Sequence, residues 1–174
     1  QGLVRRCHGD MHSGNIIVED GQPMLFDAIE FSEKIATIDV LYDLAFLLMD
    51  LWSHDEKAAA NIVMNRYLGL RRAEEDLSGL SLLPIFLSTR AGVRALVTAD
   101  LVHELPVKSS LRQRGLALDS FRESISYLKP GPPVLICVGG LSGSGKSTLA
   151  ARLAPYVGAA PGALHVRSDV ERKI

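Results

Sequence analysis

The sequence predicts an α/β protein in two parts: a β-hairpin leading into a helical lobe, then the opening of a parallel α/β unit. Three observations carry this. Two short apolar runs flank Asp20-Gly21, a dipeptide suited to a two-residue hairpin turn. Successive stretches between Asp39 and Leu128 repeat apolar residues at helical spacing. After "KPGPP", Lys129 to Pro133, the pattern changes to a continuous apolar run, a glycine-rich turn and a new helix.

The elements follow in order. "IIVEDGQPMLFD", residues 16 to 27, reads as the hairpin, with Glu19 facing Gln22. The first helix runs from about Asp39, its N-cap, to Trp52, with Val40, Leu41, Leu44, Ala45, Leu47, Leu48 and Leu51 on its apolar side. Further helices are expected over Asp55–Leu68, Leu80–Leu105 (with Pro84 kinking it or delaying its start) and Ser109–Leu128. Val134 to Val138, "VLICV", has the composition of a strand buried on both faces. A helix should open near Lys146, a second strand should span Leu164 to Val166, and a last helix should open near Asp169. The expected organisation is a first part over residues 1–128, a linker over 129–133 and a second part over 134–174.

Of the residues, 47% are apolar and 22% charged, and the formal net charge is −1. That balance is globular rather than disordered, and gives no field drawing the chain to nucleic acid or anionic lipid. Cys7 and Cys137 are far apart and form neither a disulfide framework nor a zinc spacing. No signal peptide or unbroken run of about 18 apolar residues is present, so the expectation is a cytoplasmic protein without a membrane partner. The chain opens on Gln1 with a motif already under way at His8, and a fragment cut at both ends is the expectation.

The densest polar stretch is "CHGDMHSGNIIVEDGQPMLFDAIEF". The hairpin register puts Asn15 opposite Phe26, beside Asp27, with Asp10 in the loop feeding the ribbon. A carboxylate plus an amide oxygen suits Mg²⁺, with phosphates completing its shell. A second carboxylate nearby could orient and deprotonate a hydroxyl. Glu30 is open between a role at the metal or acceptor and a plain surface charge. A different reading makes His8, Asp10 and His12 a zinc site, which leaves Asn15 and Asp27 without a purpose.

The second dense stretch, "GLSGSGKST", fits G-x-x-x-x-G-K-[ST] through Gly140, Gly145, Lys146 and Ser147. Glycines at 140, 143 and 145 allow successive backbone N–H groups to turn inward on a polyphosphate. The cradle comprises Gly140, Ser142, Gly143, Ser144, Gly145, Lys146, Ser147 and Thr148, with Lys146 reaching the phosphates and Ser147 ligating Mg²⁺. A plain glycine- and serine-rich turn is the alternative. Asp169 and Arg172 share a helical face, and Asp169 could equally be an N-cap.

Both stretches carry resemblances. "HGDMHSGNI" followed by "LFDAIEF" resembles the catalytic loop and metal-binding segment of the aminoglycoside phosphotransferase-like branch of the protein-kinase-like fold. The resemblance implies Asp10 as catalytic base, Asn15 and Asp27 as Mg²⁺ ligands, and Asp43 as a support tying the loop to the next helix. "RSDVERK" after the second expected strand resembles polynucleotide-kinase-like P-loop enzymes, which implies Asp169 as acceptor-side base and Arg172 as an anion holder. The order of the two resembles bacterial bifunctional proteins that join an aminoglycoside phosphotransferase-like part to a P-loop ATP-binding (AAA family ATPase) part. The implied fold is the C-terminal helical lobe of a kinase-like domain followed by the start of a P-loop NTPase domain. The implied activity is ATP- and Mg²⁺-dependent phosphoryl transfer to a hydroxyl acceptor, and the alternative is a nucleotide-binding regulatory protein with a non-catalytic kinase-like part.

Overall fold

In a computed structural model the chain is described over residues 3–71, 74–104 and 106–171. Strand β1 (Val4–Arg6) pairs antiparallel with β4 (Thr37–Asp39), Val4 opposite Asp39. Between them lie a single 3₁₀ turn (Ser13–Asn15), the hairpin of β2 (Ile16–Glu19) and β3 (Gln22–Leu25), and the short helix α1 (Glu33–Ala36). The hairpin register is as expected, with Glu19 opposite Gln22 and Ile16 opposite Leu25. Asp20 and Gly21 both take positive φ, 50° and 74°, the backbone a tight hairpin turn needs and one that Asp tolerates and Gly favours.

Helix α2 (Val40–Ser53) begins where the sequence places it: the Asp39 carboxylate accepts the Leu41 N–H at 2.8 Å and caps the first turn. Helix α3 (Lys57–Arg71) follows, then α4 (Glu74–Gly79), α5 (Leu83–Asp100) and α6 (Val107–Tyr127). Pro84 sits in the first turn of α5, where its missing N–H costs nothing, so it starts this helix and does not kink it. The core lies between α2, α3 and α5: Leu41, Leu48 and Met49 from α2, Ala60 and Met64 from α3, and Leu87 and Ala91 from α5 are all buried. Each fully buried Leu or Met contributes about 1.5–3 kcal/mol relative to exposure. The stretch Glu75–Asp100 is long and apolar enough to cross a membrane by composition. In the fold it packs between α2 and α6 and pairs Arg90 and Arg94 with carboxylates of α2, as the core helix of a folded lobe does.

The second part departs from expectation. Helices α7 (Lys146–Leu153) and α8 (Ser168–Glu171) form, but neither 134–138 nor 164–166 is a strand. Residues 134–137 are exposed, and no backbone hydrogen bond joins 134–138 to another described residue. The two runs face each other across a trough of about 440 Å³, floored in part by Ala150 and Leu153 of α7. A strand exists only as a partner in a ladder, and no described segment occupies the trough. The apolar composition suits a strand, but no described segment pairs with either run.

This second part is nonetheless fastened to the first. Asn61 of α3, 3% exposed, donates from Nδ2 to the carbonyls of Pro161 and Ala163, each at 3.0 Å. One turn on, Asn65 donates to Ala163 O at 3.2 Å and its Oδ1 accepts the His165 N–H at 2.7 Å. The i, i+4 spacing puts both amides on one face of α3, where they grip three backbone groups of the facing chain. Gly162 must be glycine there: its φ is +93°, and a Cβ would lie 2.6 Å from Ala154 O.

Candidate functional site

The loop from His8 to Asn15 is held at both ends by α2. Before Asp10, the Asp43 carboxylate accepts the His8 and Gly9 N–H groups at 3.1 and 2.9 Å. After it, Asp50 Oδ2 accepts the Ser13 N–H at 2.8 Å and the Ser13 hydroxyl. Gly9 turns the chain at φ +83°, where an added Cβ would meet Ile29 at 2.8 Å. Asp43 therefore has the supporting role that the resemblance implied.

The loop brings Asp10 and Asn15 together. Asn15, buried at 7% exposure, donates from Nδ2 to Asp10 O at 2.9 Å and to Asp10 Oδ2 at 3.1 Å. With its nitrogen committed, its Oδ1 is left to face elsewhere. His12 Nδ1 accepts the Gly14 N–H at 3.1 Å, so its proton sits on Nε2, 3.4 Å from Asp10 Oδ2. Both neighbours thus load one oxygen of Asp10 and leave Oδ1 as its open basic atom.

Asp27 lies at the same end of the hairpin. Phe26 N–H donates to Asn15 O at 3.1 Å, and His8 brackets the segment, its Nε2 donating to Phe26 O at 2.9 Å and its carbonyl accepting the Ile29 N–H at 2.9 Å. Asp27 itself is exposed and takes φ +59°, an uncommon conformation for a non-glycine residue and one found at functional sites. Glu30 is exposed, with no ion pair among the described residues. The zinc reading of His8, Asp10 and His12 is not met by the structure, where His8 Nε2 is turned to Phe26 O and the three side chains do not converge on one point. No cluster of His, Cys, Asp and Glu able to hold a metal is found among the described residues.

Sequence reasoning missed the arginines behind α2. Arg90 and Arg94, one turn apart on α5, reach Asp43 (3.8 Å) and Asp50 respectively. The Arg90 guanidinium lies 4.0 Å from the Tyr42 ring centroid and 4.7 Å from that of Phe46, and burial pulls its pKa down against the opposing pull of Tyr42 and Asp43. Burial would raise the Asp50 pKa, but the two Ser13 hydrogen bonds and Arg94 together hold it below the usual carboxylate value. The available signal was the charge pattern itself: two Asp seven apart in one apolar helix, two Arg four apart in another.

The second stretch is a loop ahead of α7. Gly140, Gly143 and Gly145 take φ of 150°, 76° and 81°, all closed or strained for other residues. Ser144 N–H donates to Leu141 O at 3.3 Å, and Lys146 Nζ folds back onto the same carbonyl. Ser142, Ser144, Ser147 and Thr148 are exposed. Asp169 lies in the first turn of α8, not at its N-cap, and is held in a two-point pair by Arg167, at 3.2 and 2.7 Å. Arg172 lies outside the described residues.

Comparison with known proteins gives two kinds of similarity. Uncharacterized proteins of Mycobacterium bovis and of two strains of Mycobacterium tuberculosis are 33% identical over 162 residues, which is 91% of this chain and 30% of each relative. The chain therefore spans about a third of the length of the curated relatives it matches. No solved structure matches it significantly. Residues 3–80, the segment that holds Asp10, Asn15, Asp27, Asp43 and Asp50, match the phosphotransferase enzyme family.

Proposed function

We propose that residues 8–50 form the acceptor and metal side of an ATP-dependent phosphotransferase site, and that residues 140–148 are a second phosphate-binding centre. The observation that carries the first claim is the pinned loop: Asp10 with one loaded and one open oxygen, and Asn15 fixed beside it, within the stretch that matches the phosphotransferase family.

In this reading Asp10 Oδ1 accepts the proton of an acceptor hydroxyl as its oxygen bonds to the terminal phosphorus of ATP and the bond to the leaving diphosphate breaks. Asn15 Oδ1 and the Asp27 carboxylate fit a hard divalent cation, since both are oxygen donors and Asp27 has no ion pair among the described residues. Mg²⁺ held there supplies charge neutralisation on the phosphates. His12 and the Asn15 amide hold the Asp10 carboxylate in place and leave Oδ1 aimed outward. The second centre rests on the three glycines with positive φ, the helix opening at Lys146, and the exposed Ser147 and Thr148. Asp169 is its proposed acceptor-side base, joined by Arg172, and an ATP-using protein of this kind belongs in the cytoplasm.

The test is transfer of labelled phosphate from ATP, with Mg²⁺, to a panel of hydroxyl acceptors by the intact protein. Asp10→Asn should remove one part of the transfer with nucleotide binding kept, and Lys146→Ala a separable part together with nucleotide affinity at the second loop. ATP binding without turnover that depends on either residue would favour the regulatory reading.

A further inference from the structure

We infer that Asp50, backed by Arg94, is a positioning residue that sets the Asn15 end of the catalytic loop through Ser13. This rests on the phosphotransferase reading of the loop. It assigns Asp50 a task separate from that of Asp43, which holds the other end.

Asp43 and Asp50 are seven residues apart on α2. That is two turns, so they lie on one stripe about 10.5 Å apart along the axis. The loop is laid along this stripe. Asp43 takes the N–H groups of His8 and Gly9, ahead of Asp10, and Asp50 takes the N–H and hydroxyl of Ser13, behind it. Ser13 is the first residue of the 3₁₀ turn that ends at Asn15. Where Ser13 is held, the turn starts, and so the place of the Asn15 amide against Asp10 is set.

The site demands a carboxylate. Oδ2 of Asp50 faces two donors from Ser13, and Oδ1 faces the Arg94 guanidinium. An amide in its place would turn an NH₂ against at least one of them. The Asp50 side chain is only 4% exposed, so water does not readily replace a lost partner. Arg94 is tied further by a 2.9 Å bond to Ser53 Oγ, which keeps the brace on α2. Partners behind a metal or catalytic group commonly change affinity or activity by about 10–100-fold when removed.

The test uses Asp50→Asn and Ser13→Ala in the intact protein, with two readouts. The first is amide exchange at residues 12–15 against the α2 and α5 helices. Asp50→Asn should raise exchange in the loop well above any rise in the helices. Equal rises in loop and helices would make Asp50 a core brace only and overturn the inference. This readout needs no catalysis, so it stands even if the wild type transfers no phosphate to any acceptor, the result that sinks the phosphotransferase reading instead. The second readout is kinetic. Asp50→Asn should raise the Mg²⁺ concentration for half-maximal rate about 10-fold or more and lower kcat, with acceptor KM unchanged. An unchanged Mg²⁺ requirement in an active, folded variant would refute it. Should Asp50→Asn not fold, Ser13→Ala carries the test. Ser13 is exposed, its backbone N–H bond survives, and a Mg²⁺ shift of about 2–5-fold is expected; no shift and no change in loop exchange would overturn the inference.

Discussion

Replacing Asn61 by Ala removes a side chain that is almost wholly buried and donates to two carbonyls about a hundred residues away in sequence. The two acceptors fare differently. Ala163 O keeps the Asn65 amide at 3.2 Å, whereas Pro161 O, in a buried residue, loses its partner. The two donated hydrogen bonds, and a third that Asn61 Oδ1 accepts from Asn65 Nδ2 at 3.1 Å, contribute about 0.5–1.5 kcal/mol each, and an orphaned buried carbonyl costs about 1–3 kcal/mol. Because these overlap, a loss of roughly 2–4 kcal/mol is expected. At a urea slope of about 2 kcal/mol per molar, the midpoint should fall by about 1–2 M. Trp52, the single tryptophan, packs against the core and lines a pocket with Ala159 and Ala160, so its fluorescence reports on the bundle and this contact together. Amide exchange at His165 gives a local reading. A midpoint moved by less than about 0.3 M, with His165 exchange unchanged, would refute the claim that the amides fasten the second part to α3.

Asp43→Ala strips two loop N–H groups and leaves the buried Arg90 without its paired carboxylate; a loss of about 3–5 kcal/mol should show in chemical denaturation. Gly162→Ala places a Cβ against Ala154 O at a positive φ and should lower the melting temperature by more than Gly131→Ala, where nothing lies near. Two carboxylates give stability opposite pH slopes. The lowered Asp50 pKa means its contribution is present above the ordinary value of 3.8 and is lost as pH falls below it. Glu123, raised mainly by burial against the smaller effect of its Tyr127 hydrogen bond, takes up its proton more readily when folded, so its contribution declines as pH rises above the ordinary 4.5. Urea midpoints measured from pH 3 to 7 should lose the upper slope in Glu123→Gln and the lower slope in Asp50→Asn.

What the sequence made legible was local. Asp20-Gly21 sets the hairpin and its register, and with the register the approach of Asn15 to Phe26. Asp39 caps α2 and Pro84 opens α5. The rest depends on partners far along the chain. The ladder of β1 and β4 joins three-residue segments more than thirty positions apart, too short to carry a period. The charges of α2 read as interruptions of an apolar helix until α5 supplies Arg90 and Arg94. Asn61 and Asn65 carry no signal in the sequence because what they bind is backbone, which has no sequence signature. The strands expected at 134–138 and 164–166 erred in the opposite way: their composition is right for a sheet, but a sheet is made by neighbours.

The asparagine grip also bears on what a protease would do to this molecule. The exposed backbone from Pro130 to Cys137, between the bundle and α7, makes no backbone hydrogen bond to another described residue, and such segments are preferred cleavage sites. The attachment to α3 lies beyond it, at Pro161 to His165. A chain severed in that stretch would still carry its C-terminal piece, docked on α3 through side-chain amides rather than through the covalent thread. Cleavage there would change the molecule's connectivity while leaving the two pieces together.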